Sequence, residues 1–348
     1  MRWLLLVVVL TACGDNVAPW LLEELDPQTG FWVRTPEFAV PQGQEVQDCY
    51  FFKVPDVANG ADLMVDRFAL GLNVGSHHMN VFRVKTIVAL DPAAGEPVDM
   101  GGVQGTVVHG GAPPSPCWKS SNWADWPIVA NSQQSVSDRP ILDWQLPTGV
   151  ATRFTPGEML MLQIHYVNAT DQTTPAKGRG GINFYRSADG DTMELGTVFA
   201  TQQSIRVCRS NPQPSYSGAC ALPAGTHTVT AANGHFHSRG REFRIWAWDG
   251  ISTTQPADDA LFYQNTDWNE PLMKTDIGMV LPQTGGIWWT CDYLWTEPDG
   301  GCAAVDARDP QHANDCCYTF GPTVETSEHC NVFAYYYPKV TTGDVTCF

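Results

Sequence analysis

Short apolar runs recur along the chain, each closed by glycine, proline, asparagine or aspartate. They include "EVQDCYFFKVP", "LMVDRFALGL", "HHMNVFRV", "MLMLQIHYVN", "INFYR", "TVFATQQSIRV", "EFRIWAWDG" and "NVFAYYYPKV". Their β-branched and aromatic content, with turn residues between them, predicts strands. Helical periodicity is scarce, and "PWLLEELDP" supports one short turn at most. This spacing predicts an all-β chain built of antiparallel β-sandwiches rather than βαβ units. At 348 residues the chain exceeds one ordinary core, so two sandwich domains are expected. The strand "INFYR" follows the turn-rich stretch "NATDQTTPAKGRGG", and the boundary is placed just after it, at "SADGD". The N-terminal sandwich then spans 31–188 and the C-terminal one 189–348.

The first residues change the picture of where the protein works. "MRWLLLVVVLTACGDN" carries a basic residue at Arg2 and an apolar run from Trp3 to Leu10, too short to span a bilayer. The ending Leu10-Thr11-Ala12-Cys13 looks like a bacterial lipobox. It implies a signal peptide over 1–12, a lipid on Cys13 and a tether over 13–30. The expected protein is an exported lipoprotein facing the periplasm, or at the outer membrane or cell surface, and touching the membrane through its lipid alone. The charge balance of 20 Lys+Arg against 37 Asp+Glu, net −17, excludes a nucleic-acid partner and a polybasic membrane patch. A monomer is expected.

The cysteines agree with export. Of the 11, Cys13 is set aside for the lipid, which leaves an even number in a compartment that permits disulfides. Cys49 and Cys117 lie alone in the first half and are expected to pair. Cys208, Cys220, Cys291, Cys302, Cys316, Cys317, Cys330 and Cys347 supply up to four bridges in the second. With no C-x-x-C pair, a structural zinc site is not expected.

The candidate chemistry lies in the histidines. His77 and His78 are adjacent at the start of a strand, where regular geometry would send them to opposite faces. If both serve one purpose, the backbone there is irregular and the target is small. His165 in "LMLQIHYVN" shares a strand face with Met161 and Gln163. His235 and His237 in "NGHFHSRG" are two apart, so their imidazoles project from one face, a natural bidentate arrangement for a metal ion. His109 and His312 fall in loops, and His227 shares strand parity with His235 without further support.

Taken together, "SHHMNVF", "LQIHY", "HFH" and the late "EHCNVFAYYYP" resemble, in order and approximate spacing, the copper type II, ascorbate-dependent monooxygenases. This family includes the peptidylglycine α-hydroxylating and dopamine β-monooxygenases. The resemblance covers about 48–348. It implies two β-sandwich domains, each holding one copper, facing each other across a solvent-filled cleft. It implies that His77, His78 and His165 hold an electron-storing copper. His235 and His237 would hold a second copper where dioxygen and substrate meet. The family's third ligand there is a methionine just before a cysteine, and the matching position is His329. Imidazole in place of a thioether favours Cu(II) and makes reduction harder. Met279 is the nearest upstream methionine. The family's carboxylate-binding arginine and tyrosine correspond to Asn233 and Phe333, so peptidylglycine is rejected as substrate.

The function expected is a dicopper monooxygenase. It would hydroxylate a C–H bond of a small or medium organic substrate with dioxygen and an ascorbate-like one-electron donor. The alternative is a copper-binding or electron-transfer lipoprotein on the same scaffold.

Overall fold

The computed structural model describes residues 21–84, 107–110 (backbone alone), 126–133, 139–168, 175–188, 190, 193–302, 305, 315–321 and 323–348. The signal and lipidation residues, including Cys13, lie outside this set, as do Cys117 and His312. The fold is all-β, with mostly antiparallel sheets and no closed barrel. Among the described residues no helix is long and apolar enough to cross a membrane.

Four sheets carry the architecture. An outer sheet holds Gly30–Arg34, Gly180–Arg186, Leu63–Leu72, Val150–Phe154 and Met193–Glu194, with Ile141–Gln145 also paired to Leu63–Leu72. The inner N-terminal sheet runs Val107–Gly110, Glu45–Lys53, Met159–Val167, Ser76–Arg83, Ile128–Ser132. The inner C-terminal sheet runs Met279–Val280, Thr228–His235, Asn331–Tyr337, Gly196–Thr201, Val345–Cys347. The second outer sheet holds Ser215–Ala221, Gly286–Tyr293, Gly240–Trp248 and Leu261–Asn265. Chain crosses from the first sandwich to the second between Glu194, still paired with Val150–Phe154, and Gly196. That is slightly later than "SADGD" suggested, because the two-residue strand Met193–Glu194 is too short to read from sequence.

Side-chain alternation shows how the sandwiches meet. On Ser76–Arg83, Met79 and Val81 join Leu160, Leu162 and Ile164 in the N-terminal core. The opposite face carries His78, Asn80 and Phe82 beside His165, Gln163 and Met161. On the C-terminal side, Val332, Ala334 and Tyr336 pack with Val198 and Ala200 into the second core. The alternate residues Phe199, Ala231, Phe333 and Tyr335 belong instead to the N-terminal cluster. The two inner sheets therefore press against each other, and each is buried on both faces. This explains why "MLMLQIHYV" and "NVFAYYY" read as nearly continuous apolar runs, since neither strand has a solvated side.

Polar bonds fasten this seam. Buried Asn131 donates to Asn233 Oδ1 at 2.9 Å and accepts from the Tyr335 hydroxyl at 2.6 Å. The cleft expected between the domains is thus a narrow pocket rather than an open, solvent-filled gap. Phe82, Met161, Phe199 and Phe333 would lose their apolar burial if water filled it.

Disulfides staple the second sandwich: Cys208–Cys317, Cys220–Cys347, Cys291–Cys330 and Cys302–Cys316. Cys220–Cys347 and Cys291–Cys330 tie the outer sheet to strands of the inner one or to the residue just before one. Cys49 is also disulfide-bonded. Such bridges suit an oxidising, extracytoplasmic compartment.

Candidate metal centre

The adjacent histidines owe their placement to a glycine and a bulge. Gly75 sits at φ +94°, and a Cβ there would lie 2.3 Å from the Tyr166 hydroxyl oxygen. Only glycine accepts both the left-handed backbone and the ring that crosses it. Beyond it the strand slips register: His165 faces His78, yet Tyr166 faces Ser76, leaving His77 as the extra residue. A β-bulge of this kind re-aims side chains. Here it lets consecutive imidazoles converge, with ring centroids 5.2 Å apart. His165 completes the first group, 5.1 Å from His78 and 5.2 Å from His77.

The second group comes from the inner C-terminal sheet. His235 ends its strand, His237 follows two residues on, and their rings lie 5.1 Å apart. His329 stands just ahead of Asn331–Tyr337, 5.1 Å from His235 and 4.3 Å from His237. Its backbone is held from two sides. The Tyr293 hydroxyl donates to its carbonyl at 2.5 Å, and Cys330 is bridged to Cys291.

The two groups touch. His77 lies 5.0 Å from His235 and 5.7 Å from His237, and His78 lies 5.0 Å from His235. Ligand nitrogens of His77, His78 and His165 all fall within 4.8 Å of one another, and so do those of His77, His235 and His237. The resemblance grouped His235 and His237 with His329. The structure keeps His329 in ring contact with both and makes His77 common to the two tightest groups. A third convergence, Cys208, Asp315 and Cys317, offers no thiolate because its cysteines are bonded to each other.

The six residues fit a metal by their hydrogen bonding. Each is at most 5% exposed. His237 Nδ1–H donates to the Ser327 carbonyl at 3.0 Å, which leaves Nε2 unprotonated and without a bond. His165 Nε2 meets the Glu45 carboxylate at 2.9 Å, which frees Nδ1 for the cluster. His77 Nε2, His78 Nδ1 and His235 Nε2 are likewise buried without hydrogen-bond partners. Buried polar atoms rarely go unsatisfied, so several aimed at one point indicate a ligand.

Burial opposes protonation of five of these rings. Burial, reinforced by neighbouring imidazoles, holds His77, His78, His235 and His329 well below the usual histidine range. Burial lowers His237 to about 4, despite the opposing bond to Ser327. Burial alone would raise the Glu45 carboxyl, but the bond from His165, the charges of His165 and His237 and the Val324 N–H carry it below its ordinary value. Glu328, fully buried, is pushed up to about 8 against the backbone N–H donors of Arg239 and His237.

Gln133, which sequence reasoning passed over, lies 2.9 Å from His235 Nδ1 while its own Oε1 lacks a bond. Turning the amide so that Oε1 accepts from Nδ1–H satisfies both groups and leaves Nε2 as the ligand. Gln133→Leu is therefore expected to weaken metal binding by His235 by about 10–100-fold, read by competition with a chromogenic chelator. An unchanged affinity would show that this amide does not orient the ring.

Beside the histidines lies a pocket lined by His78, His235 and His329, by Phe82, Trp126, Met161, Phe199 and Phe333, and by Asn80, Gln163 and Asn331. Its cavity volume is about 30 Å3, enough for a water or two. Among the described residues, no Asp, Glu, Lys or Arg lines it. Phe333 forms part of the wall, and Asn233 is engaged by Asn131, so neither clamps a carboxylate.

Other candidates lie elsewhere. Met279 pairs with Val229, near the far end of that strand from His235. Both ring nitrogens of His227 are bonded to carbonyls, of Pro338 and Pro223, and so are spent. His109 lies on Val107–Gly110, opposite Asp48.

No protein-family model matches the chain, and no curated protein matches it. Among solved structures, it is similar at 8% identity to a "putative secreted protein" from Eubacterium rectale, covering 84% of this chain and 69% of that one, TM-score 0.24. It is also similar at 8% identity to the major capsid protein P2 of Bacteriophage PM2, covering 89% and 99%, TM-score 0.27. At these scores neither likeness bears on function.

Proposed function

We propose that this protein is a copper-dependent monooxygenase, exported as a lipoprotein through Cys13, that hydroxylates a neutral, largely apolar substrate. The observation that carries this reading is six buried imidazoles converging beside a largely aromatic pocket. An all-imidazole donor set suits copper, zinc, iron or nickel, and among divalent ions copper binds such sites most tightly. When bound, copper supplies one-electron redox steps and a place for dioxygen, with ascorbate or a similar donor restoring the electrons.

The chain's own residues do the rest. His77, His78, His165, His235, His237 and His329 would hold the metal, and Glu45, Ser327 and Gln133 fix ring orientation. Phe82, Phe199 and Phe333 exclude water from the reacting face. Asn80, Gln163 and Asn331 offer hydrogen-bonding groups to a substrate in the pocket. With no charged residue among the described lining, an amine or carboxylate would enter at a desolvation cost that these residues do not offset.

One observation favours a second reading, copper binding or electron transfer without hydroxylation: the pocket holds little more than water in this conformation. Oxygen uptake separates the two. Copper-loaded protein with ascorbate and a panel of neutral aromatic compounds is expected to consume dioxygen in step with hydroxylated product, faster for His329→Met. Copper-loaded protein that consumes oxygen slowly and without product would overturn the monooxygenase reading.

A further inference from the structure

We infer that the six histidines form one coupled dinuclear centre, not two independent mononuclear sites in separate domains. This deepens the copper reading and rests on it. His77 stands in both tight groups of ligand nitrogens, so two ions cannot be held by those groups and remain remote from each other. The rings form an unbroken contact network: His165 to His78, His78 to His235, His77 to His235 and His237, and His237 to His329. Every step spans 5.7 Å or less between centroids. Two ions held by groups that share His77 would stand close together, as in two-metal sites, whose ions lie roughly 3.5–4 Å apart.

The seam also keeps the groups from drawing apart. Asn131 is bonded to Asn233 and Tyr335, and Gln133 to His235. Glu45, whose carboxylate meets His165, also accepts from the Val324 N–H of the second sandwich. These bonds join first-sandwich residues to second-sandwich ones, and two of the three residues on the first side, Asn131 and Gln133, are buried. Two redox ions in such a place would exchange electrons at contact range, with no cleft to cross.

The experiment is metal analysis with frozen-solution electron paramagnetic resonance on the oxidised, copper-loaded full chain. The expected result is two coppers per chain with most of the signal lost to spin coupling, or a half-field line from two spins at close range. His77→Gln is expected to lower the content towards one copper and return the full signal of what remains. Two coppers giving two full, non-interacting signals overturn the coupled centre and leave the copper reading standing. One copper with a full signal in the unaltered chain overturns it as well. Less than one copper per chain sinks the functional reading itself.

Discussion

Stripped of metal, the protein is expected to lose stability steeply as pH falls below about 6.5, the ordinary histidine value. His77, His78, His235, His237 and His329 are all held below it, His237 at about 4 and the others well below the usual range. Between those limits the unfolded chain takes up protons that the folded chain refuses, so unfolding gains on folding as acid is added. Stability is fully present above 6.5 and declines as pH falls towards 4. Each proton contributes about 1.4 kcal/mol per pH unit. Five such groups make a slope large against the ~5–15 kcal/mol that holds an ordinary domain folded. Bound metal blocks the same nitrogens, so the loaded protein should keep its melting temperature further into acid. Melting curves of both forms from pH 7.5 to 4.5 test this. Parallel curves would mean that the rings are not buried neutral in solution.

Asn131→Ala should destabilise the protein more than any other single polar truncation at the seam. The side chain is fully buried and serves partners on two strands of the second sandwich. Its loss leaves the Tyr335 hydroxyl and Asn233 Oδ1 buried without it, at about 1–3 kcal/mol each. Tyr335→Phe in the same background should cost much less than in the native chain, because the two changes remove one bond. Denaturant unfolding of the four variants measures this coupling. Additive effects would show that the bond contributes nothing to joining the sandwiches.

Much of this was legible in the sequence. Alternation and turn residues gave the strands, and the His-His and His-x-His spacings singled out four of the six histidines that the fold brings together. His165 came from its strand face and His329 only from the family resemblance. The irregular backbone at His77 was also foreseeable, since adjacent imidazoles cannot share a target on a regular strand. The narrowness of the cleft was not. Whether Phe82, Met161, Phe199 and Phe333 face water or each other depends on how two sheets meet, which no local pattern encodes. Gln133 and Asn131 carried a faint signal as polar residues ending the apolar run "PIVANSQ". Glu45 and Ser327 carried none, because their role depends on neighbours distant in the chain. Cys330 had no partner assigned by spacing. Its bond to Cys291 emerges only once the outer sheet is laid over the inner.

That bond sets an order of events. His329 immediately precedes Cys330, and sulfur oxidation fastens this stretch to the Gly286–Tyr293 strand. A newly made chain whose thiols are still reduced lacks this fastening beside its sixth imidazole. On the proposed reading, complete metal capture would follow oxidative maturation, after the chain has left a reducing compartment.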